Sequence, residues 1–428
     1  MSAQKHIEIT LPASKSIVNR LLIIEALSGQ KIVENKDISC DDTEVLLQAL
    51  HFDNQTINAK FSGAAMRFLT AFFAQKEGEW ILTGEKSLLL RPVNELVEAL
   101  KILGADIQYL ENEGFLPLKI VGKKLHSKTL KIENSQSSQT ISALMLIAPM
   151  LHNGLTIKIK NVSSFPYILL TKKIMENCGA KIKIVRKRKF CLCPTIIANP
   201  CHCGSLPAMT GYIKVFPKKY FPKKFPIEAD WSAAAFWYAC AAMFDTKPII
   251  LKGLLPDSYQ PDSVVKNIFE NFGITSSWHT NLTDTHRLIL EKNRCKSVLS
   301  ASSVFKYSFK NCPDLVPALA VTCCANNVKF IFSGVKNLKI KESDRLAALV
   351  CELRNCGFML KNSSDFIFWN GEKCVQQNPI KIETYNDHRI AMAFAILSQK
   401  IGLEIINRSV VEKSYRNFWQ DFCKIAKK

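Results

Sequence analysis

Lysines and arginines beside short polar clusters are the residues of this chain whose types could do chemistry. Arginine recognises a carboxylate or a phosphate through two parallel hydrogen bonds, and lysine offers a point charge. The predicted ligand is therefore small and carries several negative charges. The cations in question are Lys15, Arg20, Arg67, Arg91, Lys341, Arg345, Arg389 and Lys413.

Several common catalytic motifs are missing from the sequence. It has no glycine-rich loop that ends in Gly-Lys-Ser/Thr, no G-x-G-x-x-G, no H-E-x-x-H and no G-x-S-x-G. These motifs would support nucleotide, zinc-peptidase or serine-hydrolase chemistry. A cluster of cations around an anionic ligand is the remaining prediction.

Six nearly apolar stretches, each opened by polar residues, are expected to form buried helices. Their positively polarised N-termini would suit an anion. Ordinary N-capping by Ser and Asp explains any one of these openings, but six of them, several with a cation, favour an anion site. The predicted helices span 17–27, 64–74, 140–150, 233–244, 315–325 and 390–397.

A second pattern repeats along the chain, an amphipathic helix that ends at a glycine and leads into a strand. The glycines are Gly104, Gly179, Gly273 and Gly357, which lie 75, 94 and 84 residues apart. Each is expected to take the left-handed conformation of a helix C-cap. The spacing predicts a compact αβ unit, and residues 190–225 interrupt it.

Length and composition predict a globular protein of two or three domains. The chain has 428 residues, 47% apolar and 22% charged, with no apolar run long enough to span a bilayer. Its 15 cysteines and an N-terminus without an apolar segment predict a cytosolic protein without disulfides. The formal charge of +20 fits either a polyanionic partner or a basic surface without specific meaning.

The stretch Leu11-Pro-Ala-Ser-Lys-Ser-Ile-Val-Asn-Arg20 resembles the N-terminal signature of the 5-enolpyruvylshikimate-3-phosphate synthase family. Further matches follow in the family's order and cover nearly the whole chain. A single tripeptide is weak evidence, whereas an ordered set is specific. The other matches are Ser62-Gly-Ala-Ala-Met-Arg67, Leu82-Thr-Gly84, Arg91-Pro92, Ser137-Ser-Gln139, Pro166-Tyr167, Asp230, Pro313-Asp314, Lys341-Glu-Ser-Asp-Arg-Leu346 and Tyr385-Asn-Asp-His-Arg-Ile-Ala-Met392.

The resemblance implies an α/β fold of two similar domains. Each would have three βαβαββ units with buried helices and outer sheets, as in an inside-out α/β barrel. One domain would span 14–227, with an insertion near 190–225, and the other would combine 1–13 with 228–428. The active site would lie in the cleft between them.

The same resemblance implies transfer of the enolpyruvyl group of phosphoenolpyruvate to the 5-hydroxyl of shikimate 3-phosphate, with release of phosphate. This is a step of the shikimate pathway of aromatic amino acid biosynthesis. No metal or cofactor is implied. The expected partners are these two small substrates, with no membrane, no nucleic acid and a monomeric state.

Carried over from the family, Lys15 would contact both substrates, Asp314 would accept the proton of the 5-hydroxyl and Glu342 would donate a proton to the enol carbon. Shikimate 3-phosphate would bind Lys15, Ser16, Arg20, Ser137, Ser138, Gln139, Ser164, Tyr167, Asp314, Asn337 and Lys341. Phosphoenolpyruvate would bind Lys15, Gly63, Arg91, Gln139, Arg345, Arg389 and Lys413.

Each of these residues also has an ordinary structural interpretation. Asp314 and Asp230 could be helix N-caps, and Glu342 could be a first-turn acid that pairs with Arg345 on a solvated face. His388 alone would more often be structural than catalytic. The ordered family match favours the functional interpretation for Lys15, Arg20, Asp314, Glu342, Arg345 and Arg389.

Phe61 departs from the family pattern. The usual N-A-G-T-A-M-R-P stretch is Phe61-Ser-Gly-Ala-Ala-Met-Arg-Phe68 here, without its Asn, Thr and Pro. In the family that Asn helps to hold the ligand of the phosphoenolpyruvate pocket. We therefore expect an altered affinity for phosphoenolpyruvate and for glyphosate, the inhibitor for which the family is known.

Three alternatives stay open at the level of sequence. The acceptor could be UDP-N-acetylglucosamine, as in a related enolpyruvyl transferase, although the cluster 137–139 favours a small phosphorylated acceptor. The basic, aromatic stretch 214–225, with 186–189 nearby, could bind nucleic acid. Cys191, Cys193, Cys201, His202 and Cys203 could bind zinc, although Cys-x-Cys is not the usual ligand spacing.

Overall fold

The computed structural model describes residues 6–51, 55–135, 137–187, 210–222, 227–280, 286–293 and 303–425. In chain order, the elements up to residue 222 are β1 (Ile7–Thr10), α1 (Lys15–Ser28), α2 (Asp41–His51), β2 (Thr56–Asn58), α3 (Gly63–Phe73), β3 (Gly78–Thr83), α4 (Lys86–Leu89), α5 (Asn94–Ile102), β4 (Asp106–Tyr109), β5 (Leu118–Gly122), β6 (Thr129–Glu133), α6 (Ser138–Ile147), β7 (Leu155–Lys160), α7 (Phe165–Asn177), β8 (Ile182–Lys187) and β9 (Thr210–Val215).

The elements of the remaining part follow the same alternation of helices and strands. They are α8 (Trp231–Met243), β10 (Ile249–Lys252), α9 (Val265–Glu270), β11 (Ile274–Thr280), β12 (His286–Lys292), β13 (Val304–Ser308), α10 (Val316–Ala325), β14 (Lys329–Ser333), α11 (Arg345–Asn355), β15 (Lys361–Asn362), β16 (Phe366–Trp369), β17 (Lys381–Ile382), α12 (His388–Leu397), β18 (Glu404–Ile405) and α13 (Phe418–Phe422).

Four sheets share one strand order. In each, the first two strands are parallel, the fourth strand pairs antiparallel with the second, and the third pairs antiparallel with the fourth. This is the arrangement of a βαβαββ unit. The sheets are β2-β3-β5-β4, β6-β7-β9-β8, β1-β10-β12-β11 and β13-β14-β16-β15.

The remaining two units of the expected six are reduced. One of them has only the parallel pair of β17, which precedes α12 in the sequence, and β18, which follows it. Helices α1 and α2 are joined by residues 29–40, which contain a short 3-10 helix, Asn35–Asp37. The repeated unit is therefore complete in four of six places within the described residues.

The alternation of side chains explains why the sheets lie outside and the helices inside. In β6, Leu130 and Ile132 are buried, whereas Thr129, Lys131 and Glu133 face solvent. Helices α10 and α12 are buried on nearly all sides, and α8 buries twelve of its 13 residues. This confirms the prediction from their apolar composition.

The buried apolar side chains form two separate clusters. The first runs from Ile17 to Tyr220, and the second combines Ile9 and Leu11 with residues from Ala229 to Phe422. Helices α1, α3 and α6 contact one another in the first cluster, and α8, α10 and α12 do so in the second. We refer to these as the first and second clusters.

The chain passes between the two clusters twice, at Pro12–Ser14 and at Glu228–Asp230, and these two segments lie side by side. Ala13 and Ala229 form an antiparallel bridge. The amide of Ser14 donates to the carbonyl of Glu228, and that of Asp230 to the carbonyl of Pro12, both at 2.9 Å. The two crossings thus form a single hydrogen-bonded connection.

The four glycines of the repeat occupy the predicted position. Gly104, Gly179, Gly273 and Gly357 have φ angles of 96°, 90°, 75° and 89°, which a residue with a side chain rarely adopts. The prediction of helices that end at these glycines is confirmed.

Residues 190–225 connect β8 to β9 and extend beyond β9. Of these, residues 190–209 and 223–225, including the cysteines and histidine of the zinc alternative, lie outside the described residues, as do the flanking residues 188, 189 and 226. In the described part of the chain no group of three or more His, Cys, Asp or Glu could hold a metal ion. Likewise, no described helix is long and apolar enough to cross a membrane.

Candidate active site

A pocket forms where the N-termini of the buried helices of both clusters meet. Lys15 and Ser16 begin α1, Gly63 begins α3, Ser138 begins α6, and Arg389 lies in the first turn of α12. Several positively polarised helix ends are therefore directed at one place, which suits a ligand with several negative charges.

Fifteen of the seventeen predicted site residues line this pocket. They are Lys15, Ser16, Arg20, Gly63, Arg91, Ser137, Ser138, Gln139, Ser164, Tyr167, Asp314, Asn337, Lys341, Glu342 and Arg389. The other two, Arg345 and Lys413, are buried beside it. Arg67, one of the predicted cations, also lines it, as do five residues that were not predicted, which are Asn19, Asp42, Ala64, Phe68 and Ile340.

Lys15 is held by a carboxylate that the sequence did not single out. Its ammonium lies 3.1 Å from Oδ2 of Asp42, the second residue of α2. Burial is the largest single effect and lowers the pKa of Lys15, but the charges of Asp42 and Glu342 are among those that together outweigh it and leave the pKa raised. Lys15 is therefore charged, and Asp42 fixes its position.

Arg20 is a buried cation whose hydrogen-bond partners are neutral. It donates to Thr171 Oγ1 at 2.6 Å, to the carbonyl of Ser16 at 2.6 Å and to Ser142 Oγ at 3.2 Å. Burial lowers its pKa to about 10. A guanidinium with neutral partners leaves its charge available to an anion.

Arg67 connects α3 to α6 across the floor of the pocket. It donates to the carbonyl of Gly63 at 3.0 Å, to Gln139 Oε1 at 3.1 Å and to the carbonyl of Pro92 at 2.8 Å. Burial lowers its pKa to about 9, and the nearby charge of Arg91 adds to this effect. Arg67 thereby fixes the side chain of Gln139.

Gly63 and Arg91 lie against each other. A Cβ atom at Gly63 would come within 2.5 Å of Cζ of Arg91, so the absence of a side chain makes room for the guanidinium. Nε of Arg91 is buried and has no hydrogen-bond partner among the described residues. We expected Gly63 to admit a ligand; in the structure, Arg91 occupies the adjacent space.

Asp314 lies among three cations, just before α10. Its carboxylate is 2.7 Å from Arg345, 3.1 Å from Arg389 and 3.4 Å from Lys341. Burial alone would raise the pKa of Asp314, but Arg389, Lys341 and Arg345 together hold it well below its usual range. Its carboxylate therefore serves an ion-pair network, and the helix-cap interpretation does not describe it.

Arg345 forms the centre of this network and is completely buried. Besides Asp314, it donates to Asp387 Oδ2 at 2.7 Å and to Glu342 Oε2 at 2.6 Å. Its pKa is raised because these carboxylates outweigh the effect of burial. The pairing of Arg345 with Glu342 is thus buried, not on a solvated face.

Asp387 has a second role that the sequence did not reveal. Its side chain caps α12 by accepting from the amide of Arg389 at 2.9 Å, and the same carboxylate holds Arg345. Asp230 likewise caps α8, by accepting from Ala233 at 3.0 Å, so its structural interpretation applies. An aspartate thus orders the N-terminal backbone of each of these two helices.

Glu342 is ionised in this arrangement. Burial raises its pKa, but the charges of Arg345, Arg91 and Lys15 are among those that hold it well below the usual range. His388, which faces the same cations, has its pKa lowered well below the ordinary value, first by burial and then by Lys15. At neutral pH, Glu342 is therefore a carboxylate and His388 a neutral imidazole.

Residues on opposite sides of the pocket are joined directly. Nδ2 of Asn337 donates to Oγ of Ser164 at 3.4 Å, and the amide of Ser164 donates to the carbonyl of Lys310 at 3.2 Å. Ser164 has a left-handed backbone, with φ of 54°, at the start of α7. The pocket is therefore bordered by contacts between the two clusters.

Positive charge exceeds negative charge around the pocket. Six lining cations face three lining carboxylates. The cations are Lys15, Arg20, Arg67, Arg91, Lys341 and Arg389, and the carboxylates are Asp42, Asp314 and Glu342. By contrast, none of the described residues of the basic stretch 214–225 lines the pocket.

Comparisons with known proteins agree with this geometry. The model of the EPSP synthase (3-phosphoshikimate 1-carboxyvinyltransferase) family matches residues 50–196 and 208–422. A 3-phosphoshikimate 1-carboxyvinyltransferase of Bacteroides fragilis is 39% identical over 429 residues, which cover 99% of this chain and 97% of that protein. One of Haemophilus influenzae is 30% identical over 449 residues, with 98% and 96% covered.

A solved structure supports the fold. An EPSP synthase from Acinetobacter baumannii aligns with a TM-score of 0.66 at 18% identity, over 99% of this chain and 97% of that chain. The predicted α/β architecture of repeated units, with buried helices and outer sheets, is confirmed.

Proposed function

Because the chain belongs to the EPSP synthase (3-phosphoshikimate 1-carboxyvinyltransferase) family, we propose that its pocket binds shikimate 3-phosphate and phosphoenolpyruvate side by side. The reaction transfers the enolpyruvyl group of phosphoenolpyruvate to the 5-hydroxyl of shikimate 3-phosphate and releases phosphate. The observation that carries this proposal is the excess of cations at converging helix N-termini. Family membership favours this acceptor over UDP-N-acetylglucosamine.

Shikimate 3-phosphate is assigned to the side of the pocket built by α1, α6 and α7. Ser137, Ser138 and Ser164 would hold its phosphate, and Ser16 and Arg20 would contact the same substrate. Gln139 and Tyr167 would lie beside the ring, and Asn337 and Lys341 would order it near Asp314. The neutral partners of Arg20 support this assignment, since its charge is free to meet a phosphate.

Phosphoenolpyruvate is assigned to the side that contains Arg91 and the second cluster's cations. Arg91, Arg389 and Lys413 would hold its carboxylate and phosphate, beside Gly63 and Gln139, and Lys15 would contact both substrates. Arg345 is engaged with three carboxylates, so we assign it the role of fixing Asp314 and Glu342.

The chemistry requires proton transfers at two atoms. As the 5-oxygen bonds to C2 of phosphoenolpyruvate, its proton would pass to Asp314, and C3 would gain a proton from Glu342. A proton then returns from C3 to the Glu342 carboxylate as the C2–O bond to phosphate breaks, which completes the transfer. Bound substrates would pair with Arg389, Arg91 and Lys15, and so raise the pKa of both carboxyls toward the range that proton transfer needs.

Phosphate release tests this proposal. We expect the purified protein to release phosphate from phosphoenolpyruvate only when shikimate 3-phosphate is present. Asp314→Asn keeps the shape but removes the base, and we expect kcat to fall by about 10²–10⁴-fold. Unchanged turnover in this variant would contradict the role of Asp314, and no release by the wild type with both substrates would contradict the function.

Three further features of the proposal concern the whole chain. We infer that the two clusters correspond to domains at 14–227 and at 1–13 with 228–428, with the active site between them. We also propose a monomer, which is the state expected from the family resemblance. A cytosolic setting is supported by buried thiols such as Cys240 and Cys323, whose pKa burial raises above the usual value.

A further inference from the structure

Phe61 lies opposite Lys413, across the boundary between the two clusters. The ammonium of Lys413 is 4.6 Å from the centre of the Phe61 ring. The ring is 36% exposed, whereas Lys413 is only 7% exposed. A cation over an aromatic face at this distance is attracted by the ring's quadrupole.

The turn that carries Phe61 is fixed at both ends. The amide of Ala59 donates to the carbonyl of Thr83, and that of Glu85 to the carbonyl of Lys60, both at 2.9 Å. Lys60 has a φ of 47°, an uncommon conformation for a residue with a side chain. The ring is therefore presented by a well-defined backbone two residues before Gly63.

Lys413 is held by the second cluster. It ends the 3-10 helix Arg408–Lys413, and its ammonium donates to the carbonyl of Asn386 at 3.4 Å. Tyr415, two residues later, is 1% exposed and donates to Asp421 at 2.7 Å. The backbone of this segment is thus anchored while the Lys413 side chain extends toward Phe61.

Several charged groups face the Lys413 ammonium. Burial lowers its pKa, the carboxylates of Glu342, Asp42 and Asp387 oppose that effect, and Lys15 adds to it. A ring that favours the ammonium form acts in the same direction as the carboxylates.

We propose that Phe61 is a positioning residue of the phosphoenolpyruvate subsite, whose ring holds the Lys413 ammonium charged and in place for the substrate's anionic groups. This inference rests on the proposed function, which places Lys413 in that subsite. It also gives the departure at Phe61 a physical role, because the ring orders a cation that contacts the ligand.

Phe61→Leu removes the aromatic face but keeps an apolar side chain. We expect the KM for phosphoenolpyruvate to rise about 5- to 30-fold, with little change in kcat or in the KM for shikimate 3-phosphate. Phe61→Trp should restore the wild-type value. Phe221→Leu is the matched control, because Phe221 is an aromatic side chain that is 66% exposed and does not line the pocket.

The pH profile separates this role from a merely structural one. Without the ring the pKa of Lys413 should fall further, so the alkaline limb of kcat/KM for phosphoenolpyruvate should move to lower pH in Phe61→Leu. It should return in Phe61→Trp. A KM increase that Trp does not rescue, with an unmoved alkaline limb, would mean that Phe61 only supports the fold.

Competitive acetylation of lysines by acetic anhydride, read for Lys413 by peptide mass spectrometry, requires no activity. We expect the midpoint of its pH dependence to be lower in Phe61→Leu than in wild type and Phe221→Leu. Equal midpoints would overturn the proposed contact, even if the wild type turns over both substrates. Absence of turnover with a shifted midpoint would instead contradict the proposed function alone.

Phe61→Asn supplies the amide that the family usually has at this position. Its acetylation midpoint should match that of Phe61→Leu, since both lack the ring. Its steady-state titrations with phosphoenolpyruvate and with glyphosate should differ from those of the wild type. Superimposable curves for both ligands would show that residue 61 does not influence this subsite.

Discussion

At the scale of single residues, burial and neighbouring charges shift the pKa values of the pocket's cations and carboxylates. Burial lowers the pKa of Arg20 to about 10 and that of Arg67 to about 9, whereas the pKa of Asp314 and that of Glu342 lie below their usual range. Arg20 and Arg67 donate to neutral groups, so a ligand's negative charge would stabilise their charged forms. The negative charges of Asp314 and Glu342 are already balanced by Arg345 and the cations next to it.

Binding should therefore be linked to protons. The negative charge of the substrates should raise the pKa of Glu342, so that the wild type takes up more protons on binding than Glu342→Gln does, increasingly so as the pH falls from about 8 to 5. Calorimetric titration with shikimate 3-phosphate and phosphoenolpyruvate in buffers of different ionisation enthalpy measures this. Protons that the ligands' own phosphates gain or lose are the same for both proteins, so they cancel in the difference between wild type and Glu342→Gln. Equal proton uptake by the two proteins would contradict the role of Glu342.

The residues that line the pocket could largely be predicted from the sequence, but the carboxylates that fix them in place could not. Lys15, Arg20 and Asp314 stand in recognisable motifs, and the structure brings them into one pocket. Asp42 holds Lys15, and Asp387 holds Arg345. Each pair is far apart in the sequence, so no spacing of residues could reveal it. The only local signals were an acidic first turn in α2 and the N-cap of α12.

At the scale of elements, helix ends do most of the positioning. Side chains of Ser62, Ser137 and Asp387 cap α3, α6 and α12 beside the pocket, and the four glycines of the repeat follow the C-terminal ends of α5, α7, α9 and α11. The polar N-caps and the C-terminal glycines could both be predicted from the sequence. The reduced units around α2 and β17 could not, because a short strand has too few residues to show an alternation of apolar and polar side chains.

Gly104→Ala should destabilise the fold without affecting substrate affinity. Gly104 has a φ of 96°, and an added Cβ would lie 2.9 Å from Cδ2 of His126. We expect a loss of about 1–3 kcal/mol in the free energy of unfolding, measured by urea titration, with KM values unchanged. Gly402→Ala is the control, since nothing lies within 4 Å of its added Cβ. Equal losses in both variants would contradict this explanation.

At the scale of the whole molecule, ion pairs fasten the C-terminal segment of the second cluster to the first. Arg416 donates to Asp41 at 2.9 Å and also contacts Glu44, both at the start of α2. Because Lys413 lies three residues earlier, this attachment holds the same segment that Phe61 contacts. The two clusters are therefore joined on this side by both an ion pair and a cation–aromatic contact.

Arg416→Gln should weaken phosphoenolpyruvate binding in a salt-dependent way. Exposed ion pairs contribute about 0–1 kcal/mol and are screened by salt, so we expect KM to rise up to about 5-fold at about 0.05 M salt and to approach the wild-type value near 0.5 M. Lys36→Gln, which breaks an exposed ion pair with Glu34, is the control. A KM increase that persists at high salt would argue against an electrostatic attachment.

The hydrogen-bonded crossing between Pro12–Ser14 and Glu228–Asp230 also has a consequence for synthesis. Strand β1 is made first but pairs with β10, and Ser14 donates to Gln260, 246 residues later. At about 5–20 residues per second, the ribosome takes roughly 12–50 s to produce that partner. The first cluster can pack in that interval, whereas β1 has no partner until β10 has been synthesised.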